Sequence, residues 1–334
     1  MKIAVIYSEP SKRQVKAGYG ATDDDSAVIA EKVVAGLRAR GLMAEKYLIG
    51  EDEIEKIGEI RAGCIFNLIE WCGQDIHLAQ KAFGFLRALN IPVTGSSEEL
   101  FVLTGDKSRV KEVLVKMGVS TPQAMLFKTG DEPIPDNLPY PMIVKPSLEH
   151  CSMGLTQDSI THNAGDLRRI AKKQIETFEQ SALAEEFIVG REFLVYLIEE
   201  KGGVRVLPIK EIMFSGYGEL QFQTYEAKWD ENHQDYQTTE VVLAKLSVKE
   251  KKKIESLCTK IFKRLGLWGY ARFDVRYRSG KPYILETNAN PSVYDSEDET
   301  LGAEDEVIWG IKFGDYLEGI VQSAVYHFER GERV

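Results

Sequence analysis

The sequence predicts an α/β protein of two or three lobes that opens on a parallel α/β unit. Three observations lead there. The β-branched run Ile3 to Tyr7 is followed, between Ser26 and Arg40, by apolar residues at helical spacing (Val28, Ile29, Val33, Val34, Leu37) and closed by Gly41. A second strand-then-helix pair follows before residue 96. A chain of 334 residues is also too long for one hydrophobic core.

In order, the first lobe is expected at residues 1–96. Its second pair is the apolar run Gly63 to Ile69 and a helix from Ile76 to Leu89, and Ile91 to Gly95 reads as a further strand and turn. The central lobe is expected at 97–188. It starts with a helix from Glu98 to Met117, stopped by Gly118, and a strand from Ala124 to Phe127 follows Thr121-Pro122. A proline-rich linker, Pro133 to Pro141, leads into the strand Met142 to Pro146, then a glycine-bearing loop, a charged helix from Ala164 to Ser181 and a strand from Ala182 to Ile188. Such a strand, loop, helix, strand unit can clamp a nucleotide. The third lobe, 189–334, carries strand-like runs at Glu192 to Ile198, Arg205 to Met213, Gly269 to Tyr277 and Pro282 to Glu286, with a helix at Val248 to Leu265. Tyr217 to Glu240 is polar and aromatic without a period, so a long loop serving as a lid is expected there.

Composition narrows the function. Hydrophobic residues at 43% and charged ones at 28% make an ordinary globular balance that argues against long disorder. The net charge of -10 argues against nucleic-acid or anionic-membrane partners, so any phosphate site is local. Cys64, Cys72, Cys151 and Cys258 lie far apart, which signals neither a zinc cluster nor a disulfide framework and fits a reducing cytoplasm. No signal peptide is evident, and no segment reaches the roughly 20 apolar residues of a membrane span.

The densest chemistry lies in Arg272-Phe273-Asp274-Val275, the turn Ser279-Gly280, and Tyr283 to Pro291. Alternation on two hairpin strands can bring Asp274 and Glu286 side by side on one face. Two carboxylates that close call for a cation, and hard oxygen donors with the Asn288 amide nearby suit Mg²⁺ bridging nucleotide phosphates. A surface hairpin with scattered acids is the plainer alternative; the polar run directly after an apolar strand speaks against it. Lys107, Lys145 and Lys228 can balance phosphate charge, although any one lysine among 42 basic residues is more often a solvated surface charge. Lys145 has the best case, at the end of a buried strand before a Ser- and Gly-containing loop.

Lys145 to Gly154, then Glu185 to Glu192, then Arg272 to Pro291 resemble, in order and spacing, the successive motifs of the D-alanine–D-alanine ligases within the ATP-grasp superfamily. Asp106-Lys107 and Ile91 to Ser96 extend the likeness over most of the chain. The resemblance implies a three-lobed ATP-grasp fold with ATP between the central and carboxy-terminal lobes, and a ligase joining a carboxylate to an amine through an acyl-phosphate. It implies that Lys107 and Lys145 contact the ATP phosphates, that Glu185, Phe187 and Ile188 line the adenine pocket, that Glu192 holds the ribose and that Leu285 is a wall beneath the base. Asp274, Glu286 and Asn288 would ligate two Mg²⁺ ions, with Mn²⁺ as the alternative. Lys228 would reach the γ-phosphate from the loop, and Arg272 would stabilise the oxyanion of the tetrahedral intermediate. Ser152, matching the family's loop serine, is counted with these catalytic residues. The substrates would be small amino acids or amines, and the family commonly forms dimers.

The chain also departs from the family. The phosphate loop Glu-Gly-Ser-Ser-x-Gly reads Glu149-His150-Cys151-Ser152-Met153-Gly154 here, which loses a glycine's backbone freedom and replaces a hydroxyl by a weak donor. Cys151 reads as a packed thiol rather than a reactive one. The His-Gly...Gly-Glu-Asp-Gly segment is replaced by Glu70 to Asp75, and the Gly-Gly-x-Ser-x-Glu stretch that holds the first D-alanine's ammonium is absent, leaving Asp24 or Asp25 as substitutes. Beyond Pro291, where the family binds the second D-alanine's carboxylate, Ser292 to Glu299 is acidic and would repel one unless it is simply a solvated loop. The reading is retained ATP chemistry with a changed acceptor and a donor open to change. The alternatives are an ATP-grasp kinase or synthetase on another small carboxylate, and a non-catalytic nucleotide-binding regulator.

Overall fold

The computed structural model describes the chain apart from residues 19–20, 202, 217, 219 and 294–310, and for 21–25 the backbone alone. Asp24 and Asp25, as side chains, and the acidic run from Tyr294 onward therefore lie outside the described residues.

The first sheet is parallel. It holds β1 (Lys2–Ser8), β2 (Met43–Ile49) and β3 (Cys64–Leu68) in the order β2-β1-β3, connected by α1 (Lys12–Lys16) and α2 (Ala21–Ala39) and followed by α3 (Ile76–Leu89). β1 is apolar at successive positions because both faces are covered, as parallel sheets require. Ile3 and Val5 pack with Val33 and Leu37 of α2, whereas Ala4 and Ile6 pack with Ala79 and Phe83 of α3. The expected strand at Ile91 to Gly95 is reduced to one parallel bridge, Ile65 to Val93.

The second sheet is antiparallel. The expected helix from Glu98 to Met117 is two helices, α4 (Glu98–Gly105) and α5 (Lys107–Lys116), because Asp106 leaves the helical region at φ -103°, ψ 101° and caps α5 through Ser108 N and Arg109 N. Then come β4 (Ala124–Phe127), β5 (Met142–Pro146), β6 (Ile160–Thr161), α6 (Ala164–Phe178) and β7 (Ala182–Glu186), in sheet order β4-β7-β5-β6. Leu167, Ile170 and Ala171 of α6 cover one face.

The third sheet is also antiparallel, in order β11-β10-β8-β12-β13 with β9 beside β8. It uses β8 (Arg191–Glu200), β9 (Gly203–Val206), β10 (Lys210–Phe214), β11 (Thr239–Leu243), β12 (Tyr270–Arg278) and β13 (Lys281–Asn288), with α9 (Val248–Leu265) between β11 and β12. The run Arg205 to Met213 is two strands, since Leu207 to Ile209 breaks the ladder. The expected unstructured lid carries two one-turn helices, α7 (Glu226–Trp229) and α8 (Gln234–Gln237), and its last residues begin β11. Phe193, Val195, Phe273, Val275 and Ile284 face α9, and the opposite face is covered at its Ile198 and Tyr270 end and lines a cleft beyond it. The last helix, α10 (Phe313–Glu329), packs Leu317 and Ile320 against both α2 and β8 and ties the first sheet to the third.

Candidate active site

The face of the third sheet opposite α9 is organised as rungs. Register places Tyr196, Arg272 and Asn288 in one row, Leu194, Asp274 and Glu286 in the next, and Glu192 and Arg276 in the third. Residues two apart on a strand share a face, so these rows follow one another at roughly 6.5–7 Å. Asp274 faces Glu286 because the ladder is irregular after Asp274: Val275 pairs Ile284, and Leu285 is the extra residue. This bulge lets neighbours Leu285 and Glu286 both line the cleft, which strict alternation forbids.

Above this floor lies a cleft of about 660 Å³, lined by every site residue singled out in the sequence. In the row of Arg272, the guanidinium grips Asp274 in bidentate fashion, at 2.7 and 3.1 Å. Burial works against the charge on Arg272, yet Asp274 outweighs it and holds the guanidinium's pKa well above its ordinary value. Glu286 is bonded at 2.7 Å by His150 Nδ1 and lies 3.9 Å from Lys107 Nζ. Burial would raise its pKa, but Lys107, His150 and Lys145 hold it well below the usual range, so it stays ionised. Asn288 Oδ1 accepts from Asn290 N at 2.9 Å.

At the opposite wall Lys145 Nζ is 2.7 Å and Lys111 Nζ 2.9 Å from the two oxygens of Glu185. Burial disfavours the charge on this carboxylate, yet the flanking lysines bring its pKa down to about 2. The same burial lowers the Lys111 pKa; for Lys145 burial likewise works against the charge, but Glu185 and further carboxylates outweigh it and raise the pKa. Phe187 and Ile188 are 4% and 2% exposed, so only their cleft faces are open. Glu192 is held 2.5 Å from Arg276, whose guanidinium also bonds Gly190 O and Gln221 O and lies over the Phe187 ring at 5.2 Å.

The loop at residues 147–155 joins both walls. Lys107 Nζ donates to Glu149 O, and Lys107 N to Ser147 O at 3.1 Å. The lost glycine does not put strain on His150; the left-handed conformation falls on Cys151 and Ser152, at φ 56° and 58°. Cys151 is half-buried, and its carbonyl accepts from Trp229 Nε1 at 3.2 Å, while Tyr225 N donates to Leu155 O at 3.0 Å. The segment carrying Lys228 thus lies across the loop. Sequence reading passed over Lys111 and Arg276. Lys111 is one helical turn beyond Lys107, and Arg276 shares parity with Arg272 and Asp274, so periodicity carried both signals.

The donor set of Asp274, Glu286 and Asn288 comprises two carboxylates and an amide, all oxygen ligands, rather than a protein cage. Such hard donors would fit Mg²⁺ rather than a softer metal. Among the described residues no helix is long and apolar enough to cross a membrane.

Two antiparallel sheets closing on a cleft, with lysines on one wall and a carboxylate and arginine ladder on the other, define an ATP-grasp ligase. Solved structures support that fold. D-alanine–D-alanine ligase from Bacillus anthracis, complexed with ATP, superposes at TM-score 0.74 with 18% identity over 99% of both chains. VanG D-Ala:D-Ser ligase from Enterococcus faecalis gives 0.70 with 20% identity over 97% of this chain and 99% of that one. The family model described as D-ala D-ala ligase C-terminus matches residues 119–297. A D-alanine–D-alanine ligase from Polaromonas sp. is 30% identical over 285 residues, 83% of this chain and 80% of the relative. An uncharacterized Sinorhizobium fredii protein is 31% identical over 264 residues, 79% and 75% of the two chains. The chain belongs to the D-alanine–D-alanine ligase family and is an ATP-dependent ligase that forms amide bonds.

Proposed function

We propose that this ligase activates a small amino-acid carboxylate as an acyl-phosphate and transfers the acyl group to an amine, giving a dipeptide-type amide. The relatives named D-alanine–D-alanine ligase motivate D-alanine as the first substrate to try. The observation that carries the reading is the succession of three rungs on one face. A sugar-binding carboxylate (Glu192), a metal-binding pair (Asp274, Glu286) and an oxyanion-stabilising arginine (Arg272) stand in the order in which a nucleotide, its phosphates and an acyl group extend.

In this reading the adenine lies between Phe187, Ile188 and Leu285, near Glu185, with Lys107 and Lys145 on the phosphates. Asp274, Glu286 and Asn288 would hold two Mg²⁺ ions, or Mn²⁺, which supply charge neutralisation to phosphate oxygens. The substrate carboxylate takes the γ-phosphoryl group from ATP, leaving ADP. The amine then attacks the acyl carbon, and inorganic phosphate leaves. Arg272 stabilises the developing oxyanion, Ser152 positions the acyl-phosphate from the loop, and Lys228 closes over the γ-phosphate on a lid that excludes water.

Glu70, Gln14 and Ile29 line the cleft on the side of the first sheet, which supports a substrate pocket altered from the family pattern. Lobes at 1–96, 97–188 and 189–334, a homodimer and a cytoplasmic location belong to the same proposal. The deciding experiment is phosphate release from ATP and Mg²⁺ across amino acids and amines, singly and in pairs, with Lys145→Ala and Glu286→Ala as controls. Turnover that needs a carboxylate and an amine and yields an amide supports the reading; silence across the panel overturns it.

A further inference from the structure

A charged relay whose two carboxylates are buried runs from α1, just after β1, to the phosphate loop. Ser11 caps α1 and donates its hydroxyl to Asp75 at 2.7 Å. Arg13, on the same helix, sets Nε 3.1 Å from both Asp75 oxygens and Nη2 3.3 Å from Glu149 Oε1. The Asp75 and Glu149 side chains are 5% and 1% exposed, so both carboxylates depend on these partners. Gln180 donates to the same Glu149 oxygen at 2.7 Å and accepts from Leu148 N at 2.9 Å. Gly73 leaves the space that Glu149 fills, since a Cβ there would stand 2.7 Å from Oε2. Beyond Glu149 the relay reaches the site: its carbonyl accepts from Lys107 Nζ, and the next residue, His150, bonds Glu286.

We infer that Arg13 is a positioning residue for the nucleotide, through which α1, itself outside the proposed ATP contacts, sets the phosphate loop by gripping Glu149. This rests on the proposed function insofar as residues 147–155 receive the phosphates. Cys151 and Ser152 hold backbone conformations that persist only where the surroundings enforce them, and Glu149 is the anchored residue next to them. A planar guanidinium can serve two carboxylates at once, whereas an ammonium offers a single point charge.

The test is calorimetric binding of Mg²⁺·AMP-PNP, a non-hydrolysable ATP analogue, to the whole chain, with amide hydrogen exchange across Ser147 to Leu155. Arg13→Met is expected to bind roughly tenfold more weakly, the loss that goes with one charge-assisted contact to the loop. Arg13→Lys should recover part of the affinity, and loop exchange in Arg13→Met should be faster before nucleotide is added. Combining Arg13→Met with Glu149→Gln should cost no more than the worse single change. Wild-type affinity in Arg13→Met overturns the inference, including where only its melting temperature falls, because Arg13 would then be merely structural. If Arg13→Met does not fold, Arg13→Lys decides: a several-fold loss is expected, and wild-type affinity overturns. No amino acid is present, so a silent substrate panel would defeat the ligase reading and leave this result standing. A wild-type chain that fails to bind the analogue would overturn both.

Discussion

Asp274 on β12 stands opposite Glu286 on β13 because Leu285 is an extra residue in the ladder between Ile284 and Glu286. The turn at Ser279-Gly280, with φ of 50° and 79°, pairs Arg278 with Lys281, and that register continued without a bulge would set Asp274 against Leu285. The bulge therefore puts the apolar Leu285 and the carboxylate of Glu286 at consecutive positions that both line the cleft.

Separate roles for these neighbours should separate in kinetics. If Leu285 is the proposed wall beneath the base, Leu285→Ala removes apolar contact that is equal in ground and transition states, so the ATP KM should rise by roughly tenfold with kcat nearly unchanged. Glu286→Gln should instead lower kcat by about 10² or more. A kcat loss in Leu285→Ala would count against a purely apolar floor.

Lys111 and Lys145 share one buried carboxylate, so removing either leaves Glu185 half-compensated. Lys111→Met is expected to lower stability by about 3 kcal/mol in denaturant titration. Lys145→Met should lose stability similarly and, as the proposed phosphate contact, also depress kcat/KM by about 10². Equal activity losses in the two would remove the distinction.

Gly73 sits at φ +60° against Glu149. Gly73→Ala should cost about 1 kcal/mol or more from backbone strain alone, read as a lower melting temperature. It should also weaken AMP-PNP binding by displacing Glu149, whereas Gly84→Ala, with nothing near its Cβ, should do neither.

Trp229, in the segment proposed as a lid, is bonded to Cys151 O and can report on its movement. Nucleotide binding should change tryptophan fluorescence, and Trp229→Phe should abolish most of that change while releasing excess phosphate per amide formed. An unaltered signal in the variant would place the change at another tryptophan.

His327 anchors α10, with Nε2 2.7 Å from Glu199, Nδ1 on Glu332 and its ring stacked on Trp268 at 4.9 Å. Burial lowers its pKa, but the two glutamates outweigh that and raise it above the ordinary 6.5. A raised folded-state pKa means stabilisation fully present below about pH 6.5 and lost as pH climbs through the folded value. The melting-temperature gap between wild type and His327→Gln should accordingly narrow from about pH 5.5 to pH 8.5. A gap that widens would reverse the assignment.

Helices such as Ile76 to Leu89 and Val248 to Leu265 were legible because apolar spacing and caps are local properties. The break at Asp106 was not, since a continuous apolar pattern hides one residue whose side chain caps the following turn. The division of Arg205 to Met213 and the reduction of Ile91 to Gly95 to a single bridge likewise depend on strand partners, which a period of two does not reveal.

By itself the sequence determined the parallel start of the fold, which follows from short-range periodicity, and the order of the motifs whose resemblance to a ligase family points to the residues proposed to handle ATP. Only the tertiary structure decided which of them meet. The Asp274–Glu286 pair depends on a one-residue bulge, the sharing of Glu185 by Lys111 and Lys145 on α5, whose Val110 and Leu114 pack in the core of the third sheet, reaching β7 of the second, and the grip of Arg13 on Glu149 on contact across 136 positions of chain. Such contacts are set by ladder register and packing between distant segments, and no local pattern of residues specifies them.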